Sequence, residues 1–180
     1  MGILVVLKHI CACAVVLFFG GTSMAFSENI IDGRKWTYFA DTVMGGISTG
    51  GGGFDQSASA LNLYGNVSTA NNGGFVQIRT ELDESLGANL TGISLQAKSN
   101  GETYFVHLRN GSSILPWQYY SAEFTADKNW TTIKIPFSAF KRSSSFMPKS
   151  YNPSSTKTVG LVAFGKDYQA DLWVSDVSFY

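Results

Sequence analysis

NNGGFVQIRTEL (residues 71–82) changes character partway along. Asn71-Asn72-Gly73-Gly74 has turn composition, because glycine takes positive φ at no steric cost and asparagine tolerates it. From Phe75 onward apolar and polar positions alternate. Val76 and Ile78 oppose Phe75, Gln77 and Arg79. Alternation of period two is the signature of a half-buried β-strand, whose successive side chains point to opposite faces.

The same period recurs on both sides of this segment. ALNLYGNV (60–67), TGISLQAKS (91–99), TYFVHLRN (103–110), WTTIKIPF (130–137), TVGLVAF (158–164) and ADLWVSDVSFY (170–180) all read as strands rich in β-branched and aromatic residues. Clusters of Asn, Gly, Ser and Pro such as KSNGE, RNGSS and SYNPSST separate them. No stretch sustains a helical period; SLGANL (85–90) and FSAF (137–140) are read as single helical turns, and 141–156 as one long loop. Short strands at this spacing predict an all-β chain folded as an antiparallel β-sandwich of jelly-roll type. Trp36, Trp130, Phe137 and Trp173 are expected in its core.

The chain has 180 residues, of which 1–25 read as a leader. Lys8 is followed by the apolar run ICACAVVLFFGG, and Ser23 and Ala25 offer small residues at a cleavage site. The run is short against the ~20 apolar residues of a spanning helix. The expectation is a cleaved signal peptide, a single domain over 26–180, a secreted or periplasmic location and no stable membrane insertion. Cys11, Cys13 and His9 leave with the leader, so the mature chain has no thiol and His107 as its one histidine. With Lys8 removed, 12 basic side chains face 13 acidic ones. A chain so balanced has no electrostatic footprint for nucleic acid. Asn66, Asn89, Asn110 and Asn129 each begin N-x-S/T, which is a glycan acceptor in a eukaryotic secretory pathway and an ordinary turn elsewhere.

DTVMGGISTGGGGF (41–54) has the glycine density of a phosphate loop but not its chemistry. A P-loop requires Lys-Ser/Thr after its last glycine, and a dinucleotide fingerprint requires a strand before it and a helix after it. Neither is present. Gly50–Gly53 is instead read as a loose hairpin tip. The pairs Gly45-Gly46 and Gly73-Gly74 are read as turn glycines that hold the fold, with at least one of each pair at positive φ.

Trp36, then Asp41-Thr42-Val43-Met44-Gly45-Gly46-Ile47-Ser48, then Gly65-Asn66-Val67-Ser68, then Asn71-Asn72-Gly73-Gly74-Phe75 with Arg79 form an ordered set. This order resembles the complex I intermediate-associated protein family, named for the thirty-kilodalton assembly factor of mitochondrial NADH:ubiquinone oxidoreductase. Trp130 to Phe137, Phe140 and Val159-Gly160-Leu161 extend the resemblance over nearly the whole mature chain. It implies a galactose-binding-like jelly roll, an assembly-factor-like binding role and no catalytic residues. The leader here is secretory in pattern, whereas the family's assembly factor works inside mitochondria.

No cofactor and no metal is expected. Zinc lacks a cysteine and a second histidine, and a calcium ion would need six to eight oxygens converging from Asp32, Asp41, Asp171 and Asp176. Gln77-Ile78-Arg79-Thr80-Glu81-Leu82 looks like a strand of jelly-roll alginate lyases, but the accompanying QIH-like strand and C-terminal tyrosine motif are missing. A non-catalytic binding role follows, with a protein or a glycan as partner. The candidate surface is the polar face of the alternating strands, namely Gln77, Arg79, Gln96, Phe105, His107 and Arg109, joined by Tyr120. Aromatic faces beside hydrogen-bonding groups are what a sugar site uses.

Overall fold

A computed structural model describes residues 29–83, 86–87 and 89–180. The leader, and part of the helical turn expected over 85–90, lie outside the described residues. Eleven strands run in chain order: β1 (Thr37–Ala40), β2 (Thr49–Asp55), β3 (Ala60–Val67), β4 (Phe75–Glu81), β5 (Gly92–Ser99), β6 (Thr103–Asn110), β7 (Tyr120–Thr125), β8 (Thr131–Pro136), β9 (Lys141–Arg142), β10 (Thr156–Phe164) and β11 (Tyr168–Phe179). Six form a sheet in the order β1-β4-β10-β6-β7-β9, and five form a second in the order β2-β3-β11-β5-β8. Every neighbouring pair is antiparallel. The C-terminal pair supplies a central strand to each sheet, β10 between β4 and β6, and β11 between β3 and β5. The sheets pack face to face as a jelly-roll sandwich.

Alternation decides what lies between them. Leu61, Leu63, Val76, Ile78, Ile93, Leu95, Tyr104, Val106, Leu108, Leu161 and Leu172 are all sealed from solvent. Each such aliphatic side chain contributes about 1.5–3 kcal/mol relative to exposure. In β11 the parity changes midway. Leu172 and Val174 point inward, then Val177 and Phe179, because Ser175 is an extra residue against β5. Asn29 clamps this bulge, donating Nδ2–H to the Ser175 carbonyl while Oδ1 accepts from the Val177 and Ile31 amides.

Three expectations about aromatic and loop residues need correction. Trp130 is 40% exposed, and it and Trp173 flank the Lys98 ammonium on the outer face of the five-stranded sheet, at 5.0 and 5.6 Å. Trp173 alternates outward between the buried Leu172 and Val174, and the Lys98 ammonium then lies over both rings. Trp36 and Phe137 are in the core. The 141–156 segment is anchored rather than loose. It holds β9 and buries Met147 and Tyr151, and a 3₁₀ turn closes it at Pro153–Ser155. Asn110 is buried, with Oδ1 accepting from Ser112 and Nδ2 donating to the Asn152 carbonyl, so this sequon has no free amide to carry a glycan.

Gly50–Gly53 is not a hairpin tip but the middle of strand β2, paired with Gly65 through Asn62 on β3. A Cβ on Gly50 would overlap the Tyr64 carbonyl oxygen, and one on Gly52 would meet the Ile78 side chain at 2.6 Å. At Gly50 the neighbouring backbone comes too close for a side chain, and at Gly52 both the Asn62 carbonyl and Ile78 fill the space.

The family's motif residues converge on one carboxylate. Asp41 is fully buried at the start of a 3₁₀ turn, Asp41–Met44. Its Oδ1 accepts from the Ser48 amide at 3.0 Å; its Oδ2 accepts from the Ser48 hydroxyl at 2.5 Å and from the Gly74 and Phe75 amides at 2.5 and 3.2 Å. Ser48 Oγ in turn accepts from the Ser68 amide at 3.0 Å. Burial alone would raise the Asp41 pKa, but these donors outweigh it and hold it below the ordinary carboxylate value. Gly45 has φ of +90° and Gly74 of +126°, one left-handed residue in each pair as expected. The other two are glycine for want of room, since a Cβ on Gly46 or Gly73 would sit inside the Asp41 carboxylate.

Asp41→Asn removes a charge from four donors and turns one acceptor into a competing donor. We expect a loss of about 3 kcal/mol in denaturant unfolding. Gly46→Ala and Gly73→Ala should each cost more than Gly45→Ala, whose strain alone is worth about 1 kcal/mol. Equal melting temperatures for the three alanine variants would refute this assignment.

Candidate functional site

The outer face of the six-stranded sheet carries a cleft of about 310 Å³ that runs along β10. Its floor is Thr158, Gly160 and Val162 on the central strand. Register sets the walls: Gly160 lies between Arg79 of β4 and His107 of β6, and Val162 between Gln77 and Phe105. Short side chains on the middle strand and long ones on its neighbours make a groove without any break in the sheet. Phe39 closes one side from β1, and Val43 and Met44 of the Asp41 turn overhang it. The far wall is Pro116, Trp117 and Tyr119, carried by the segment that joins β6 to β7.

Arg109 builds that wall. Its Nε–H donates to the Gln118 carbonyl at 3.1 Å, and Nη2 donates to Ser113 and Leu115 carbonyls at 3.1 and 3.0 Å. Gln118 completes the turn by accepting from the Ile114 and Leu115 amides on Oε1. Ser143 then ties the segment to the β9 edge, donating to the Trp117 carbonyl and accepting from the Tyr119 amide. Trp117 is left 64% exposed at the rim.

Tyr119 lies flat on His107, ring centres 4.0 Å apart and planes 15° from parallel. His107 Nε2 is enclosed with no hydrogen-bond partner among the described residues, and so is Thr158 Oγ1 in the cleft floor. Burial pushes the His107 pKa down to about 3, so the ring is neutral at physiological pH. Burial also raises the Tyr119 hydroxyl above its ordinary value. Arg79 stacks on Phe39, its guanidinium carbon 4.6 Å from the ring centre, and forms no ion pair with any described carboxylate. Desolvation, with the charge of Arg79 second, lowers the pKa of Arg109.

Of the residues singled out from sequence, Gln77, Arg79, His107 and Arg109 line this cleft together. Phe105 stands behind it, edge-on to Phe164 at 5.9 Å. Two do not belong. Gln96 is on β5 in the other sheet, bonded to the Thr132 hydroxyl, with the whole core between it and the cleft. Tyr120 points inward, fully buried against Tyr151, with its hydroxyl donating to the Pro148 carbonyl. Its neighbour Tyr119 takes the outward position. The alternation of YSAEFT carries that signal, because Ala122 and Phe124 share the parity of Tyr120 while Ser121 and Glu123 share that of Tyr119. Phe39, Gly160 and Phe164 had no sequence signal for a site, since only strand order makes them neighbours. Trp117 and Tyr119, by contrast, stood out in the sequence as aromatics in a run that crosses both faces. Among the described residues no three His, Cys, Asp or Glu side chains cluster as metal ligands. Of the four aspartates considered for calcium, Asp41 is saturated by protein donors, and Asp171 and Asp176 accept from Trp173 and Ser178.

Two antiparallel sheets and a cleft across the central strand of one of them define a galactose-binding-like jelly-roll domain. The chain belongs to the Complex I intermediate-associated protein 30 (CIA30) family, whose model matches residues 24–172. A family 11 carbohydrate-binding module of a cellulosomal cellulase of Clostridium thermocellum superposes with a TM-score of 0.64 at 14% identity, over 85% of this chain and 92% of that one. The Clostridium thermocellum family 11 module in complex with a β-1,3-1,4-mixed-linked tetrasaccharide gives 0.61 at 16% identity, over 80% and 87%. A family 30 carbohydrate-binding module gives 0.53 at 16% identity, over 75% and 91%. At such identities the likeness is one of fold. A comparison with curated protein sequences finds no match.

The two arginines should respond differently to truncation. Arg109→Ala removes three charge-assisted bonds to loop carbonyls and should cost about 2 kcal/mol. Arg79→Ala loses one cation–π contact and should cost about 0.5–1 kcal/mol; thermal melts of the pair check this order. His107 supplies a pH test. Its folded pKa lies below its unfolded one, so the unfolded chain takes a proton that the folded ring refuses. Stability should therefore fall as pH drops from about 6.5 toward 3, and His107→Phe should flatten that slope in unfolding curves taken across the range.

Proposed function

We propose that this is a non-catalytic glycan-binding domain that holds a saccharide in the cleft along β10. The observation that carries it is a single cleft lined by the rings of Trp117, Tyr119 and Phe164 together with the polar side chains of Gln77 and Arg79. Rings accept the apolar face of a sugar, and the polar groups serve its hydroxyls. The leader read from the sequence supports a secreted or periplasmic setting. A non-catalytic role is supported by the setting of His107, whose Nε2 is enclosed and whose ring is covered by Tyr119. The carbohydrate-binding modules of like fold and the CIA30 membership support binding in general.

A second reading, a protein-binding domain of assembly-factor type, is favoured by one feature. Val43 and Met44 are 71% and 67% exposed at the cleft edge, more apolar surface than a sugar needs.

A glycan array with residues 26–180, followed by calorimetry, tests the first reading. Trp117→Ala and Gly160→Val, the latter filling the groove floor, should each weaken the best array ligand at least ~10-fold with little change in melting temperature. Affinity unchanged in both variants would move the site elsewhere. If Val43→Ser and Met44→Ser abolish a protein interaction while every glycan stays unbound, the second reading replaces the first.

A further inference from the structure

The cleft has an unbalanced charge. Arg79 and Arg109 both line it, and its walls contain no aspartate or glutamate. Neither guanidinium has a carboxylate partner; the two salt bridges among the described residues join Arg34 to Asp83 and Lys166 to Glu102. Asp41, beneath the overhanging turn, is fully buried and committed to Ser48, Gly74 and Phe75. Arg79 and Phe39 also border a neighbouring cleft whose lining includes Asp32, Glu81 and Asp83, but none of these carboxylates forms an ion pair with the Arg79 guanidinium. The chain as a whole has as many acidic as basic side chains, so this local excess is a matter of placement. The arginines also differ in use. Arg109 spends its donors on loop carbonyls, whereas Arg79 makes no hydrogen bond within the described residues and is held in place by the face of Phe39. A guanidinium fixed by stacking with its fork open is preorganised for a planar anion.

We propose that the saccharide held in this cleft is acidic, and that its carboxylate or sulfate docks on Arg79 while its ring lies toward Trp117. The inference rests on the glycan-binding reading above and narrows it to one chemical class. Arg109 adds attraction through its charge, and Phe39 acts as a positioning residue for Arg79. A neutral glycan would leave two like charges facing each other across a partly desolvated groove. An anion between them removes that repulsion.

Calorimetry with three probes separates the possibilities: tetragalacturonate, the same tetrasaccharide with its carboxylates reduced to alcohols, and a sulfated carrageenan tetrasaccharide. Binding of an anionic probe at least ~10-fold tighter than the reduced one, weakening as salt rises from about 50 to 500 mM, is the expected result. Arg79→Ala should erase that preference, Arg79→Lys should restore part of it, and Phe39→Leu, which frees the guanidinium, should reduce the preference for charge without erasing it. The two anionic arms tell carboxylate from sulfate. Equal affinity for the charged and reduced probes in the wild-type protein, a comparison that needs no variant to fold, would overturn the acidic class and leave glycan binding standing. No binding to these probes and none across the array would remove both.

Discussion

The Asp41 carboxylate, buried and accepting four hydrogen bonds, joins parts of the chain that are far apart in sequence. It ties its own turn to the start of β2 through Ser48, and both to the start of β4 through Gly74 and Phe75. Ser48 passes the connection to the end of β3 at Ser68. A carboxylate taken out of water is costly unless its lone pairs are satisfied, and backbone amides satisfy these only in one arrangement of the three segments. That requirement explains the spacing of aspartate, paired glycines and serines in the family pattern. The glycines that flank the carboxylate leave it space, and the two at positive φ turn the chain around it.

The same knot sets the cleft. It fixes the entry of β4, hence the register that puts Gln77 and Arg79 across β10 from Phe105 and His107. It also fixes the 3₁₀ turn that hangs Val43 and Met44 over the groove. On the opposite side Arg109 does a comparable task with the charges reversed, a cation gathering carbonyls rather than an anion gathering amides. Between these two anchors the cleft surface is sheet backbone with a few long side chains.

Most of the fold could be read from alternation. β3, β4, β5 and β6 were visible because half of each is buried and half is solvated, which writes period two into the residues, and their inward faces are core. β2 was not, since four consecutive glycines have no side chains with which to show a face. The long C-terminal strand was visible as a strand but not as a bulged one, because the extra residue at Ser175 only shows itself against β5.

What the sequence by itself determined was therefore local: which segments are strands, which side of each is apolar, and that glycines 45–46 and 73–74 build turns. Alternation assigns a residue to one of two faces but never says which strands share a sheet. Gln96 and Gln77 look alike on that ground, and strand order alone separates them onto opposite sides of the molecule. Tyr120 is a different case: its parity with Ala122 and Phe124 already sends it inward, and its place among the outward residues went against that alternation. The cleft belongs to the tertiary structure, because a groove over Gly160 exists only once β10 is inserted between β4 and β6. That insertion is a pairing between distant parts of the chain, settled by the burial of both sheets' inner faces together rather than by any property of the segments alone.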